Sequence, residues 1–177
     1  MTVWLAVGLL ALIIGLAVAI VRRRPRIDRR ERVGRILVPF TGGALEPTVL
    51  SAAIRIARAE DATLVPAYLI VVPLELPEDA PMQKQVTVAM PLLEAVEHAA
   101  LRAGVPVDAR IESGRTPIHA LQRLWNEERF DRIVVPAPAG RTPGFAARDL
   151  TWMLTHAPSQ TLILRPDPAT NGSHPSR

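Results

Sequence analysis

Between Pro136 and Arg148 the chain places Gly140, Arg141, Thr142 and Gly144, residue types that can close around an anion. Glycine lets successive backbone N–H groups turn toward one point, and a nearby arginine supplies counter-charge for a phosphate. Pro136, Pro138 and Pro143 work against this, because each removes an amide donor from the same segment. Two readings stay open: a small anion nest in which Arg141 or Arg148 replaces the missing amides, and a surface turn with solvated arginines.

Other chemistries are excluded by residue type. The chain has no cysteine, which removes thiolate nucleophiles, disulfides and Cys-bearing metal sites. His98, His119, His156 and His174 are scattered without metal-ligand spacing. There is no Gly-x-Ser-x-Gly elbow, no Gly-x-x-x-x-Gly-Lys loop and no carboxylate pair at motif spacing. Glu127, Glu128 and Asp131 cluster near a helix end and read as a solvated turn. The expectation is a protein with no catalytic residues, no metal and no enzymatic activity.

The elements that must position the glycine segment alternate short apolar runs with amphipathic stretches. Ile36 to Phe40 reads as a buried strand, and Pro47 opens a helix with Leu50, Ala53, Ile54 and Ala57 on one face. Leu64 to Val72 is a second strand. A proline-rich acidic loop follows (Pro73, Glu75, Pro77, Glu78, Asp79, Pro81), then a helix carrying Leu92, Leu93, Val96, Ala99 and Ala100 that stops at Gly104, with Pro91 near its start or kinking it. Val105 to Ile111 reads as the third strand. Thr116 caps and Pro117 begins a helix with Ile118, Leu121 and Trp125 inward. Ile133 to Pro136, a short helix over residues 148 to 156, and Thr161 to Leu164 complete the series. Trp125 and Trp152 read as core or interface fillers. Strands apolar on both faces and separated by helices predict an α/β fold with a covered parallel sheet; Pro39, Pro73, Pro136 and Pro166 are expected at or just after strand ends.

Residues 3–21 carry no charged side chain, and eight arginines (Arg22, Arg23, Arg24, Arg26, Arg29, Arg30, Arg32, Arg35) follow at once. At about 1.5 Å per residue the run just crosses a hydrocarbon core of roughly 30 Å. The arginines predict a single-pass anchor with the rest of the chain at the cytoplasmic face. A cleaved signal ending near Ala17-Val18-Ala19 and a buried soluble helix are the rival readings; the first lacks the usual positive charge ahead of the apolar run. Gly8, Ala11, Gly15 and Ala19 fall close to one face of the anchor, a spacing that lets two such helices approach.

Charge separates the chain into two parts. Residues 22–35 hold eight Arg against Asp28 and Glu31, a net +6, so with +4 for the whole chain the remainder is slightly acidic at −2. The excess stands where anionic lipid headgroups would meet it, and a nucleic-acid groove on the folded part is not expected. The expected organisation is an anchor at 3–21, a basic juxtamembrane linker at 22–34, one domain at 35–166 and a disordered tail at 167–177.

Within that domain, Arg35-Ile-Leu-Val-Pro-Phe-Thr-Gly-Gly43 resembles the first strand of the universal stress protein family, typically Ile-Leu-Val-Pro-Val-Asp-Gly-Ser. Gly114-Arg-Thr-Pro117 running on to Phe130-Asp-Arg-Ile-Val-Val135, and His156-Ala-Pro-Ser-Gln-Thr-Leu-Ile-Leu-Arg-Pro166, are similar to two further segments in the family's order and spacing. The resemblance implies an adenine nucleotide alpha hydrolase-like sheet of order 3-2-1-4-5, with any ligand at the strand C-termini near strands one and four. It also implies nucleotide-contact positions at Phe40, Thr41, Gly42, Ile70, Gly140, Arg141, Thr142 and Gly144. In the family's ATP binders an aspartate ends the first strand and the loop reads Gly-x-x-Gly, nine residues, Gly-Ser or Gly-Thr. This chain has Thr41 in the first place and Ala147-Arg148 where Gly-Ser would stand.

Two functions follow. One is a membrane-tethered regulatory or interaction domain without a strong ATP cofactor, associating as a homodimer through the fifth strand as the resemblance implies. The other is an adenine-nucleotide-binding stress sensor, possible as an accessory to a transporter or another membrane protein partner.

Overall fold

The computed structural model describes residues 34–42, 45–137 and 145–165. The anchor expected at 3–21, nearly all of the linker at 22–34 and the tail at 167–177 lie outside them. Among the described residues no helix is long and apolar enough to cross a membrane.

Nine elements alternate along the chain: β1 (Arg35–Phe40), α1 (Pro47–Glu60), β2 (Thr63–Val71), α2 (Gln83–Arg102), β3 (Arg110–Gly114), α3 (Pro117–Glu127), β4 (Arg132–Pro136), α4 (Ala147–His156) and β5 (Gln160–Leu164). All strands pair in parallel, in the expected order β3-β2-β1-β4-β5. Alternate residues of the central strands point to opposite faces, so each face has its own core. Leu37, Val65, Leu69, Ile133 and Val135 pack against Ala120, Leu121 and Leu124 of α3 and Leu150 and Met153 of α4. Ile36, Val38, Leu64 and Val134 pack on the other side against Val49, Ala53 and Ala57 of α1 and Val96 and Ala100 of α2. In α1 the buried stripe is Val49, Ala52, Ala53 and Ala57, a rotation from the expected face that leaves Leu50 and Ile54 half-buried.

Three elements depart from expectation. The third strand begins at Arg110, not Val105: Val107 makes one isolated bridge to Leu64, whereas Arg110–Gly114 pairs with Ala67–Val71. An edge strand is wetted on one side, so Arg110, Glu112 and Ser113 can occupy it, while the apolar Val105 is buried beneath the end of α2. Helix α2 starts at Gln83, so Pro91 falls well inside it. Pro91 is exposed, and so is Thr87, whose carbonyl loses its partner and meets water instead. The early turns form because Ala89 packs, with Val86 and Met82 alongside, on Phe40, Tyr68 and Ile70. Pro39 likewise lies within β1 and not at its end.

Candidate functional site

The parallel pairing of β1 with β4 covers only Ile36–Leu37 against Arg132–Ile133. Beyond it the strands carry Pro39 and Pro136, which lack the N–H a ladder needs. This is where the strand order reverses, the place where a doubly wound sheet opens toward a ligand.

The expected contact residues divide at this crevice. Phe40 and Ile70 are 2% and 3% exposed. They belong to a packed cluster with Tyr68, Ala89 and Leu93, in which the Phe40 and Tyr68 rings meet edge to face at 5.4 Å. Their side chains are core, which leaves only their backbone to face a ligand at the strand ends. Thr41 and Gly42 follow directly and are half-exposed at the strand tip. Gly42 has φ +79°, a left-handed conformation that glycine adopts at no steric cost. Gly140, Arg141, Thr142 and Gly144 lie outside the described residues.

Phe145 is 1% exposed in the α3/α4 core. At the start of α4 the Ala146 N–H donates to Oδ2 of Asp149 at 2.9 Å. The Asp149 carboxylate, only 17% exposed, thus sits at the positive end of the helix, where free N–H groups favour an anion. Arg148 is 90% exposed, its Nε 3.7 Å from Oδ1 of Asp149. Neither the acid nor its consequence was read from the sequence; the signal was an acidic residue in the first turn, which commonly caps a helix.

At the far edge of the sheet, Gly114 ends β3 and its carbonyl accepts the Val72 N–H at 3.0 Å. A Cβ there would lie 2.5 Å from the Ala120 backbone nitrogen, so only glycine lets α3 come this close. Thr116 caps α3 as expected, its hydroxyl accepting the His119 N–H at 3.1 Å.

A second polar cluster lies at the opposite end of the sheet. Arg35 reaches Asp108 at 2.9 Å and Glu128 at 2.5 Å. Arg110 donates to Glu128 through Nε at 2.7 Å and also pairs with Asp108. The hydrogen bond to Glu128, then that to Asp108, raises the pKa of Arg110 above its already basic value. Oδ2 of Asp131 accepts the Arg35 backbone N–H at 2.8 Å, and the Arg35 guanidinium lies over the Phe130 ring at 5.5 Å. One expectation is corrected here: Glu128 and Asp131 are partners of Arg35, not a solvated turn.

Trp125 and Trp152 are half-buried where α3 meets α4, stacked at 5.5 Å, and His156 stacks on Trp152 at 4.6 Å. They fill the seam between the two helices, as expected of core fillers. Among the described residues no group of His, Asp or Glu has the arrangement of a metal site.

Solved structures of the universal stress protein family share this fold, three of them as follows. The universal stress protein UspA from Lactobacillus plantarum superposes with a TM-score of 0.58 at 17% identity, covering 77% of this chain and 100% of its own. A universal stress protein from Archaeoglobus fulgidus in complex with dAMP gives 0.56 at 11%, covering 75% and 98%. One from Arabidopsis thaliana with AMP bound gives 0.55 at 13%, covering 80% and 98%. No curated protein sequence matches the chain. The sequence profile of the universal stress protein family matches residues 32–152, more than half of the chain, which therefore belongs to that family.

Proposed function

We propose that this protein is a membrane-tethered, non-enzymatic regulatory module of the universal stress protein family that holds adenine nucleotides weakly. The observation that carries the reading is Asp149. Its carboxylate already occupies the N-terminal turn of α4, a helix start that a phosphate would otherwise use. A second negative charge there meets repulsion as well as competition for donors. Thr41 in place of the family's aspartate, and Pro136, Pro138 and Pro143 in the connecting segment, support the same conclusion.

Residues 3–21 are the proposed single-pass anchor, which puts the domain at the cytoplasmic face with Arg22 to Arg32 against anionic headgroups. The module acts there as a homodimer, or on a neighbouring membrane protein. Titration calorimetry of the full-length chain in detergent micelles, with ATP and AMP, tests the nucleotide part: the expected dissociation constant is about 1 mM or weaker. Micromolar binding would overturn it. Recovery of full-length protein in the soluble fraction after lysis would overturn the tether.

A second reading, a nucleotide-responsive sensor, is favoured by the crevice between β1 and β4 and by the AMP and dAMP bound to two of the similar structures. The same titration decides between the two.

A further inference from the structure

His119 Nδ1 stands in two contacts that no single protonation state satisfies. The Arg115 backbone N–H donates to it at 3.3 Å, and Oε1 of Glu78 lies 3.3 Å away. An imidazole nitrogen has one in-plane position, which accepts when bare and donates when protonated. Bare, Nδ1 takes the Arg115 N–H and turns a lone pair toward the carboxylate. Protonated, it donates to Glu78 and must release Arg115.

The groups around the ring come from four elements. Glu78 belongs to the loop between β2 and α2. Arg123, one turn further along α3, places Nη1 3.6 Å from the same Glu78 oxygen and Nε 3.2 Å from Oε1 of Glu112 on β3. The Arg115 guanidinium, at the turn between β3 and α3, donates to the Pro73 carbonyl. Glu78 and Glu112 face Arg123 and Arg115, so these four groups carry no net charge, and Glu78 is the acid nearest the ring. The loop so held is braced by its own turns, Leu76 N–H to Pro73 carbonyl at 3.2 Å and Ala80 N–H to Pro77 carbonyl at 3.1 Å. It holds Leu74 82% exposed and Leu76 42% exposed, the first far above what an isolated core residue would tolerate.

We propose that His119 is a proton-operated latch for the loop from Pro73 to Pro81. When neutral, with its proton on Nε2, it caps the Arg115 amide, and Arg115 and Arg123 hold the loop. On taking one proton from solvent the ring turns its Nδ1–H from the Arg115 amide toward Glu78 to close a further charged hydrogen bond, and the Arg115 N–H turns to water. The latch therefore tightens as pH falls, fixing the segment that carries Leu74 and Leu76. The device is independent of nucleotide and of the membrane tether.

Nitrogen-15 NMR of the full-length chain in detergent micelles, from about pH 8 to about pH 5, spans the range in which imidazoles commonly titrate. The Arg115 amide and the His119 ring nitrogens are expected to shift with one midpoint. Exchange protection at Arg115 falls about fivefold at the acid end, the equivalent of one hydrogen bond of ~1 kcal/mol, while Leu76 and Ala80 gain protection. In Glu78→Gln the response at Leu76 and Ala80 disappears and that at Arg115 remains; in His119→Gln both vanish. Separate midpoints for Arg115 and the ring overturn the proposal. So does an unchanged loop response in Glu78→Gln, which decides the matter alone if His119→Gln does not fold.

Discussion

Asp149 is a single acid whose position, more than its type, carries the proposal of weak nucleotide binding. It accepts the Ala146 N–H across the first turn of α4, so it both caps the helix and sets the sign of the local field. Asp149→Asn keeps an acceptor oxygen and removes the charge. Its affinity for ATP is expected to rise by about tenfold, or ~1.4 kcal/mol, in calorimetry against the wild type; equal affinities would show that the acid is not what weakens binding. Gly114 is the second residue on which much depends. Its missing Cβ would stand 2.5 Å from the Ala120 nitrogen and 2.9 Å from the Ala120 Cα, both main-chain atoms that cannot step aside. Gly114→Ala is expected to cost roughly 3 kcal/mol, the upper end of typical overpacking penalties, and to lower Tm by about 10 °C. At this scale the sequence was half legible. Thr41 for aspartate, the prolines and the Thr116 cap could be read directly. That Phe40 and Ile70 lie in buried strands was legible too, but that the first turns of α2 cover them was not, because a reading centred on Pro91 left those turns out.

Among elements, β1 and β3 are tied by charge at the end of the sheet away from the crevice. Arg35, Asp108, Arg110 and Glu128 alternate in sign, and their side chains are 23–37% exposed, so water screens them partly. Because the Arg110 pKa is raised in the fold, its contribution is fully present below the unfolded value and is lost only as pH rises through the folded one. That range lies above any ordinary working pH, so this arginine gives no pH dependence near neutrality; salt is the useful variable. Glu128→Gln should lower Tm by roughly 3–5 °C at low ionic strength, about 1 kcal/mol, and the gap should shrink toward nothing near ~1 M NaCl. Differential scanning calorimetry across a salt series checks it, and a salt-independent gap would assign the loss to packing. Alternating apolar runs gave away the α/β class and the parallel sheet, while the strand order followed only from the family resemblance. The ion-pair cluster was hidden for the opposite reason. Asp108 and Glu128 are 73 and 93 residues from Arg35, and nothing local marks the acids as partners. The third strand was misplaced because Val105 and Val107 are more apolar than the edge strand itself.

For the whole molecule, the open question is what covers β5. Thr161 to Leu164 are only half-buried, and among the described residues the strand has a neighbour on one side alone. The Leu164 carbonyl accepts the Ala137 N–H at 2.7 Å, so in a parallel ladder Leu162 and Leu164 turn their amides to β4 while Thr161 and Ile163 turn theirs outward. Thr161→Pro removes an outward donor and spares the inner ladder. If a second copy pairs along this edge, light scattering should find a dimer in the wild type and a monomer in this variant, with Tm nearly equal at high dilution; two dimers would place the interface elsewhere. The seam between α3 and α4 has a different consequence. The chain has three tryptophans, and two of them lie face to face at an interplanar angle of 13°. Indoles this close share their electronic excitation, and the imidazole of His156 beside them is a natural quencher. The protein therefore carries an intrinsic optical gauge, a near-ultraviolet dichroic signal and a dimmed emission that report, without any label, whether those two helices remain docked.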